Sequence, residues 1–431
     1  MISLFVIIIH IYDYLEVDHI KLRNHSNYVR FWLASTSSYF GAFLFSLALQ
    51  VLVVVNLHGT AVDVGWLNAS RWLPYVVLGL AAGVIIDRLH RKVVLVVTDI
   101  SRSILLTLIF LTAIFDVLSL GWLMVIMILF GMMSIFNDAA YQSLVPEIVP
   151  RKLLTRANAR LEQSAAVAET GGPVLSGALV SLITAPFTIL INACTYLISG
   201  VLMATIKHKP VENKTTQPFS GQVSEGLRWV YNHRYLKTLA LNTHVWFFFH
   251  SMTITVIVTF VLIELQYSSF VLGFILSAVG FGALIGTSLS TNVGERWGVG
   301  KTMTLARALY FPAIILIALT PASQQDELQF SALAVIITGQ LLYGFAMGLE
   351  GPVEMGYRQS ITPMHLQGRM NATMRSINRS MIVIGAPVGG AIADFIGFRE
   401  ALWISGIGLA IVAIWLLLSP MWRARIDEEV D

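Results

Sequence analysis

Twelve apolar runs of bilayer-crossing length, separated by short polar breaks, decide what this chain can become. A helix needs about 20 apolar residues to cross the hydrocarbon core, and such runs lie at roughly 31–55, 63–86, 93–115, 119–141, 160–183, 185–206, 238–263, 269–291, 302–320, 330–352, 372–394 and 399–419. In hydrocarbon the backbone must satisfy its own hydrogen bonds, so runs of this length predict an all-α membrane protein of twelve transmembrane helices. Composition points the same way: 56% of the 431 residues are apolar and 12% are charged, about half the charged share of a soluble domain. A soluble enzyme is therefore not expected. The single cysteine, Cys194, leaves no intramolecular disulfide and no cysteine-based metal cluster. The net charge of +3 is too small to suggest nucleic acid.

Orientation follows from where the cations fall, because Lys and Arg are retained on the cytoplasmic side of short loops. With both termini inside, all of the 28 Lys and Arg except Arg71, Arg102, Arg307 and Arg399 fall on cytoplasmic segments or inner helix ends. Arg102 and Arg307 are expected to snorkel from about two turns inside those ends. The predicted localisation is a bacterial-type cytoplasmic membrane, multi-pass. The first residues, Ile2 to Tyr12, form an apolar run too short to span and without the marks of a signal peptide.

An internal repeat divides the chain. Gln142-Ser143-Leu144-Val145-Pro146 recurs as Gln359-Ser360-Ile361-Thr362-Pro363, Arg156-Ala157-Asn158-Ala159 as Arg369-Met370-Asn371-Ala372, and Gly172-Pro173-Val174 as Ala386-Pro387-Val388, all in one order and about half the chain apart. The expected organisation is a cytoplasmic extension over 1–27, a six-helix bundle over 28–206, a cytoplasmic linker over 207–237, a second six-helix bundle over 238–419 and a tail over 420–431. Parallel repeats of this kind describe alternating-access transporters with a central site between the halves.

Between the second and third runs the chain reads Gly83-Val84-Ile85-Ile86-Asp87-Arg88-Leu89-His90-Arg91-Lys92. This spacing resembles the loop signature of the major facilitator superfamily. The fifth run carries Glu169-Thr170-Gly171-Gly172-Pro173-Val174-Leu175-Ser176-Gly177, which resembles the antiporter motif of that superfamily's exporters, with Ser176 in place of one glycine. Arg30-Phe31-Trp32-Leu33, Trp72-Leu73-Pro74 and Asp99 with Arg102 make the first 180 residues most similar to the branch with macrolide-efflux proteins and the enterobactin exporter. The resemblance implies the major facilitator fold of two pseudo-symmetric six-helix bundles. It also implies a gating role for Gly83, Asp87, Arg88, Arg91 and Lys92, and tight packing at Gly172, Pro173 and Gly177. Read without it, the loop cations are retention signals and the Gly-Pro stretch is a packing device.

Ionisable groups inside a span cost about 2.5–3.5 kcal/mol and should have a partner or a task. Glu169 stands near mid-span and is the first candidate for proton coupling; the alternative is a carboxyl that braces the Gly-Pro bend. Asp99, three residues before Arg102, is a second candidate, or one half of a structural ion pair. Candidate cavity residues are Tyr39, Gln50, Arg71, Asn137, Asp138, His250, Glu350 and Glu354. Glu350 and Glu354 share a helix face and would favour cationic or zwitterionic solutes, whereas Arg71 would meet an anionic group or the lipid headgroups. His250 lies in an aromatic stretch where a packed role competes with a proton relay.

No phosphate loop, zinc motif or nucleophile elbow is present, so no cofactor or metal is expected and a proton gradient is the expected driver. The membrane potential supplies about 2.3 kcal/mol per charge per 100 mV. The function expected is a secondary exporter, expected as a monomer, of an amphipathic small molecule such as a macrolide-like drug or a siderophore. A proton-coupled nutrient importer and a lysophospholipid flippase remain as alternatives.

Overall fold

The computed structural model describes residues 22–86, 89–150, 153–207, 219–321 and 330–425. The first 21 residues, Asp87 and Arg88 of the loop signature, and the start of the linker lie outside them. Thirteen α-helices follow in order among the described residues. In the first half these are α1 Ser26–Val51, α2 Ala61–Ile86, α3 Arg91–Ile114, α4 Leu120–Ile148, α5 Leu154–Ile183 and α6 Ala185–Ala204. A surface helix, α7 Phe219–Asn232, leads into α8 Arg234–Thr259, α9 Ser269–Trp297, α10 Val299–Ala318, α11 Phe330–Ser360, α12 Gln367–Phe395 and α13 Phe398–Leu418.

Several helices outrun their apolar sequence at the end where the cations gather, here the basic end. The apolar runs stop near 141 and resume near 160, yet α4 continues to Ile148 and α5 already starts at Leu154. A helix that has left the hydrocarbon gains nothing by breaking its hydrogen-bond ladder, so it continues into the interface until a capping or loop sequence stops it. Among the described residues ten helices are long and apolar enough to cross a membrane. The other two long ones, α2 and α12, carry Asp63, Asn68 and Arg71, and Arg369, Arg375, Arg379 and Asp394 respectively. These two pack on each other along the centre of the molecule, where polar side chains need not face lipid.

Within the first half α1 packs on α5 and α6, α3 on α4 and α6, and α2 on α4; within the second α8 packs on α12 and α13, α9 on α11, and α10 on α11 and α13. The halves meet through α2 against α12 and α5 against α9. Small residues allow this approach. A Cβ on Gly65 would meet Ala386 O at 2.6 Å and Pro387 Cα at 2.8 Å, and one on Gly177 would meet Ser269 O at 2.5 Å and Gly273 Cα at 3.1 Å. Away from the basic end the seam is fixed further by the Asp394 carboxylate, which accepts from the first two backbone N–H groups of α2, Ala61 at 3.0 Å and Val62 at 2.8 Å.

The duplication is visible in the backbone as well. Helices α1 and α8 both end in a π-helical turn, Leu52–Asn56 and Phe260–Glu264, and each is followed shortly by a left-handed residue, His58 (φ 50) and Gln266 (φ 58). The junctions α5–α6 and α12–α13 each turn on one residue of positive φ, Thr184 (φ 76) in the first half and Gly397 (φ 145) in the second. Glycine takes such angles freely, whereas a β-branched residue there stores about 1–3 kcal/mol. Thr184→Gly should therefore raise the thermal midpoint of the purified protein by a few degrees, measured by intrinsic fluorescence; an unchanged or lower midpoint would refute the strain.

Candidate functional site

Toward the basic end each bundle encloses a cavity facing the other, of about 360 Å³ in the first half and about 310 Å³ in the second. The first is organised by α3. Asp99 and Arg102, three residues apart and so on one helix face, form a buried ion pair. The Asp99 carboxylate also accepts from Ser199 Oγ on α6 at 2.6 Å and from Asn137 Nδ2 on α4 at 3.1 Å. The Arg102 guanidinium lies 4.2 Å above the Tyr196 ring. One carboxylate thus ties three helices together. Nearer the other half, Tyr75 Oη donates to Asp138 Oδ2 at 2.7 Å, and Tyr39 Oη donates to Tyr141 Oη at 2.8 Å.

The second cavity is organised by Arg307 of α10. Its Nε donates to Glu350 Oε1 at 2.7 Å, and its Nη2 to the same oxygen at 2.5 Å, to Thr243 Oγ1 at 2.9 Å and to Glu354 Oε2 at 3.4 Å. Its Nη1 donates to Asn242 Oδ1. Glu354 lies also 3.4 Å from Arg358. The two arginines that the sequence expects to snorkel do not reach the headgroups: Arg102 is 5% exposed and Arg307 0%. The reason is that each finds carboxylates at its own depth. For the same reason Glu350 and Glu354 reach the cavity already compensated by cations.

The repeat has kept the arginine and moved the acids. Asn137 on α4 occupies the position that Glu354 holds on α11, while the acid of the first half stands on α3 beside its arginine.

Between the cavities stand residues that the sequence assigned to topology. Arg375 lines both. Arg379 lines the second and lies 4.1 Å above the Trp72 ring of α2, while Arg71 lines the first and lies 5.3 Å from the centre of the same ring. Arg375 and Arg379 read in sequence as retained cytoplasmic cations. Arg379 is twelve residues into α12, about 18 Å from its start, and that depth was the available signal.

Of the other sequence candidates, Gln50 lines neither cavity; it is buried in α1 and donates to Ser46 O at 3.1 Å. His250 also stands apart from both, stacked 4.2 Å from Trp246 with its Nδ1 2.6 Å from Tyr343 Oη. Glu169 is at the middle of α5, exposed, with no hydrogen bond or ion pair to the described residues. It continues the face of Glu162, which lines the first cavity, two turns further from the basic end. Gly172 faces Phe43 of α1, whereas Pro173 and Gly177 meet Gly273 of α9, so that motif lies on the seam between halves. Gly83 lies near the end of α2. Arg91 pairs with Glu147 at the basic end of α4, and Lys92 stands in the first turn of α3. Arg399 closes the opposite end of the second bundle, bonding Glu264 at 2.6 Å and Thr320 O at 2.8 Å.

Removing Arg307 should expose what it compensates. Arg307→Met leaves two buried carboxylates without their main cation and should cost about 3–5 kcal/mol, read as a lower unfolding midpoint. Adding Glu350→Gln and Glu354→Gln to that variant should restore most of the loss. Equal stability of the single variant and the parent would contradict the role of this cluster.

A family model described as Major Facilitator Superfamily matches residues 31–385 and, in a second match, 239–429. The chain is 25% identical over 388 residues to the multidrug efflux pump Tap of Mycolicibacterium fortuitum, covering 84% of this chain and 89% of that protein. It is 24% identical over 366 residues to the MFS-type transporter YvqJ of Bacillus subtilis, covering 83% and 84%. Among solved structures, a point mutant of the nucleoside transporter NupG superposes with a TM-score of 0.75 at 12% identity, over 91% of this chain and 99% of that one. A bacterial homologue of the iron transporter ferroportin, in an inward-facing state, superposes at 0.69 with 15% identity, over 92% and 99%.

Proposed function

We propose that this chain, which belongs to the Major Facilitator Superfamily, is a secondary exporter of amphipathic small molecules that works by alternating access. The observation that carries the proposal is the contrast between the two ends of the seam. Toward the basic end the halves enclose cavities lined by both aromatic and charged side chains. Toward the opposite end backbone meets backbone at Gly65 and Gly177, and Asp394 caps α2 across the seam. By the positive-inside rule the basic end is cytoplasmic, so this arrangement supports an inward-facing carrier ready to load from the cell interior. Relatives named as multidrug efflux pumps support export over import, and a drug-like solute over a siderophore.

The driving ion in this proposal is the proton, and Glu169 is its carrier. A carboxyl at mid-helix with no partner among the described residues has the least to lose on protonation. It stands next to Thr170, whose Cα lies 2.6 Å from where a Cβ on Gly280 of α9 would be. A change of charge there acts directly on the contact between the halves.

The test is uptake by proteoliposomes of a panel of cationic, neutral and anionic amphipathic drugs, with and without an imposed pH gradient. Gradient-driven accumulation of at least one drug, lost on collapse of the gradient and lost in Glu169→Gln, is the expected result. Accumulation of none of them would overturn the exporter, and accumulation indifferent to both the gradient and Glu169→Gln would overturn proton coupling.

A further inference from the structure

We infer that the solute this carrier accepts is an amphipathic organic anion, whose acidic group is held between Arg71 of α2 and Arg379 of α12 against the face of Trp72. The inference rests on the exporter reading only in taking the cavities for the solute's path. Its starting point is an inventory of charge inside the spans. Arg102 has Asp99, and Arg307 has Glu350 and Glu354. Arg71 and Arg379 make no hydrogen bond or ion pair with any described residue. What they touch is aromatic: Arg71 lies 5.9 Å from the Phe45 ring centre, 5.7 Å from Phe130 and 5.3 Å from Trp72, and Arg379 lies 4.1 Å from Trp72 and 5.8 Å from Phe247.

Ring faces attract a cation without neutralising it. Both guanidinium groups lean on one indole, so the distance between them cannot exceed the sum of their distances to it. Arg375, one turn before Arg379 and lining both cavities, adds a third positive charge nearby. No carboxylate touches the guanidinium of Arg71 or Arg379 among the described residues, although Glu162 lines the first cavity with Arg71 and Arg375. Asp138, engaged by Tyr75, is the carboxylate whose field reaches both Arg71 and Arg379. Glu350 and Glu354 belong to Arg307 and Arg358. Holding two cations at this depth with no carboxylate in contact is costly, and an anion entering between them lowers that cost. None of the guanidinium nitrogens of Arg71 or Arg379 is both buried and unsatisfied, as Arg102 Nε and Arg358 Nε are, so their donors reach open cavity space.

The geometry also says how the anion would bind. Arg71 comes from the first half and Arg379 from the second, so one acidic group bridges the two bundles at the α2–α12 contact. A planar guanidinium offers two parallel N–H groups to a carboxylate or sulfonate. The rings of Trp72, Tyr75 and Phe247 provide an apolar surface for the rest of the molecule.

The experiment compares solutes with the same body and different charge. Dansylglycine (a carboxylate), dansylglycinamide (neutral) and dansylcadaverine (an amine) are titrated against the protein in nanodiscs of zwitterionic lipid, and binding is read from dansyl fluorescence excited through tryptophan. The parent protein should bind dansylglycine about tenfold or more tightly than dansylglycinamide, the size of one charge-assisted contact, and should bind dansylcadaverine weakest. Arg71→Gln and Arg379→Gln should each erase most of that preference, while Arg71→Lys and Arg379→Lys keep part of it. No measurable binding of dansylglycine, equal affinity for acid and amide in the parent, or a preference that survives both glutamine variants would each overturn the inference. The parent comparison needs no variant and so does not depend on the variants folding. Because binding is measured without a gradient, an exporter that prefers dansylcadaverine would sink this inference alone, and acid-selective binding without gradient-driven uptake would sink the exporter alone.

Discussion

The contact on which this molecule depends is one between backbones. Where α2 meets α12 and α5 meets α9, glycines at 65, 177, 273 and 390 bring main chains to distances that no side chain would tolerate. Such a seam depends largely on dispersion and shape, because lipid tails offer helices no hydrophobic reason to associate, with a few hydrogen bonds across it from Asp394, Asn68 and Ser277. It is therefore firm under compression and carries few side-chain locks that must be broken for the halves to rock. The two buried ion-pair clusters, by contrast, lie within bundles. Asp99 binds α3 to α4 and α6, and Arg307 binds α10 to α8 and α11. Each half is thus braced internally by ion pairs, whereas the two are joined mainly by close backbone packing.

Much of this was legible in the chain itself. The apolar runs announced the helices because hydrocarbon enforces intrahelical hydrogen bonding, and their number and the repeat implied two bundles. The pairing of Asp99 with Arg102 could be read because both partners lie on one helix face. The pairing of Arg307 with Glu350 and Glu354 could not, because it joins helices whose proximity is a property of the packed bundle. Gln50 and His250 show the converse limit. A polar residue in a span must satisfy itself somewhere, and sequence does not say whether a backbone carbonyl in its own helix, a stacked ring or a cavity does so.

Arg375 and Arg379 mark the place where one rule concealed another. The positive-inside rule counts cations and is indifferent to depth over the last few turns of a helix, so it absorbed both residues without strain. Depth along α12 separates them from the interface, and only the neighbouring Trp72 shows what they meet there. Polar content also sets α12 apart from the other spans: Arg369, Arg375, Arg379 and Asp394 all lie on it.

The displaced carboxylates have one more effect. The two halves share a backbone plan down to the π-helical turns that end α1 and α8, yet the acid that answers the buried arginine sits on α3 in one half and on α11 in the other. A molecule lying in the cleft thus faces two walls built on one backbone plan but with different electrical relief. Turned end for end it would meet a different arrangement of charge, so a container of repeated backbone plan has a preferred polarity for its contents.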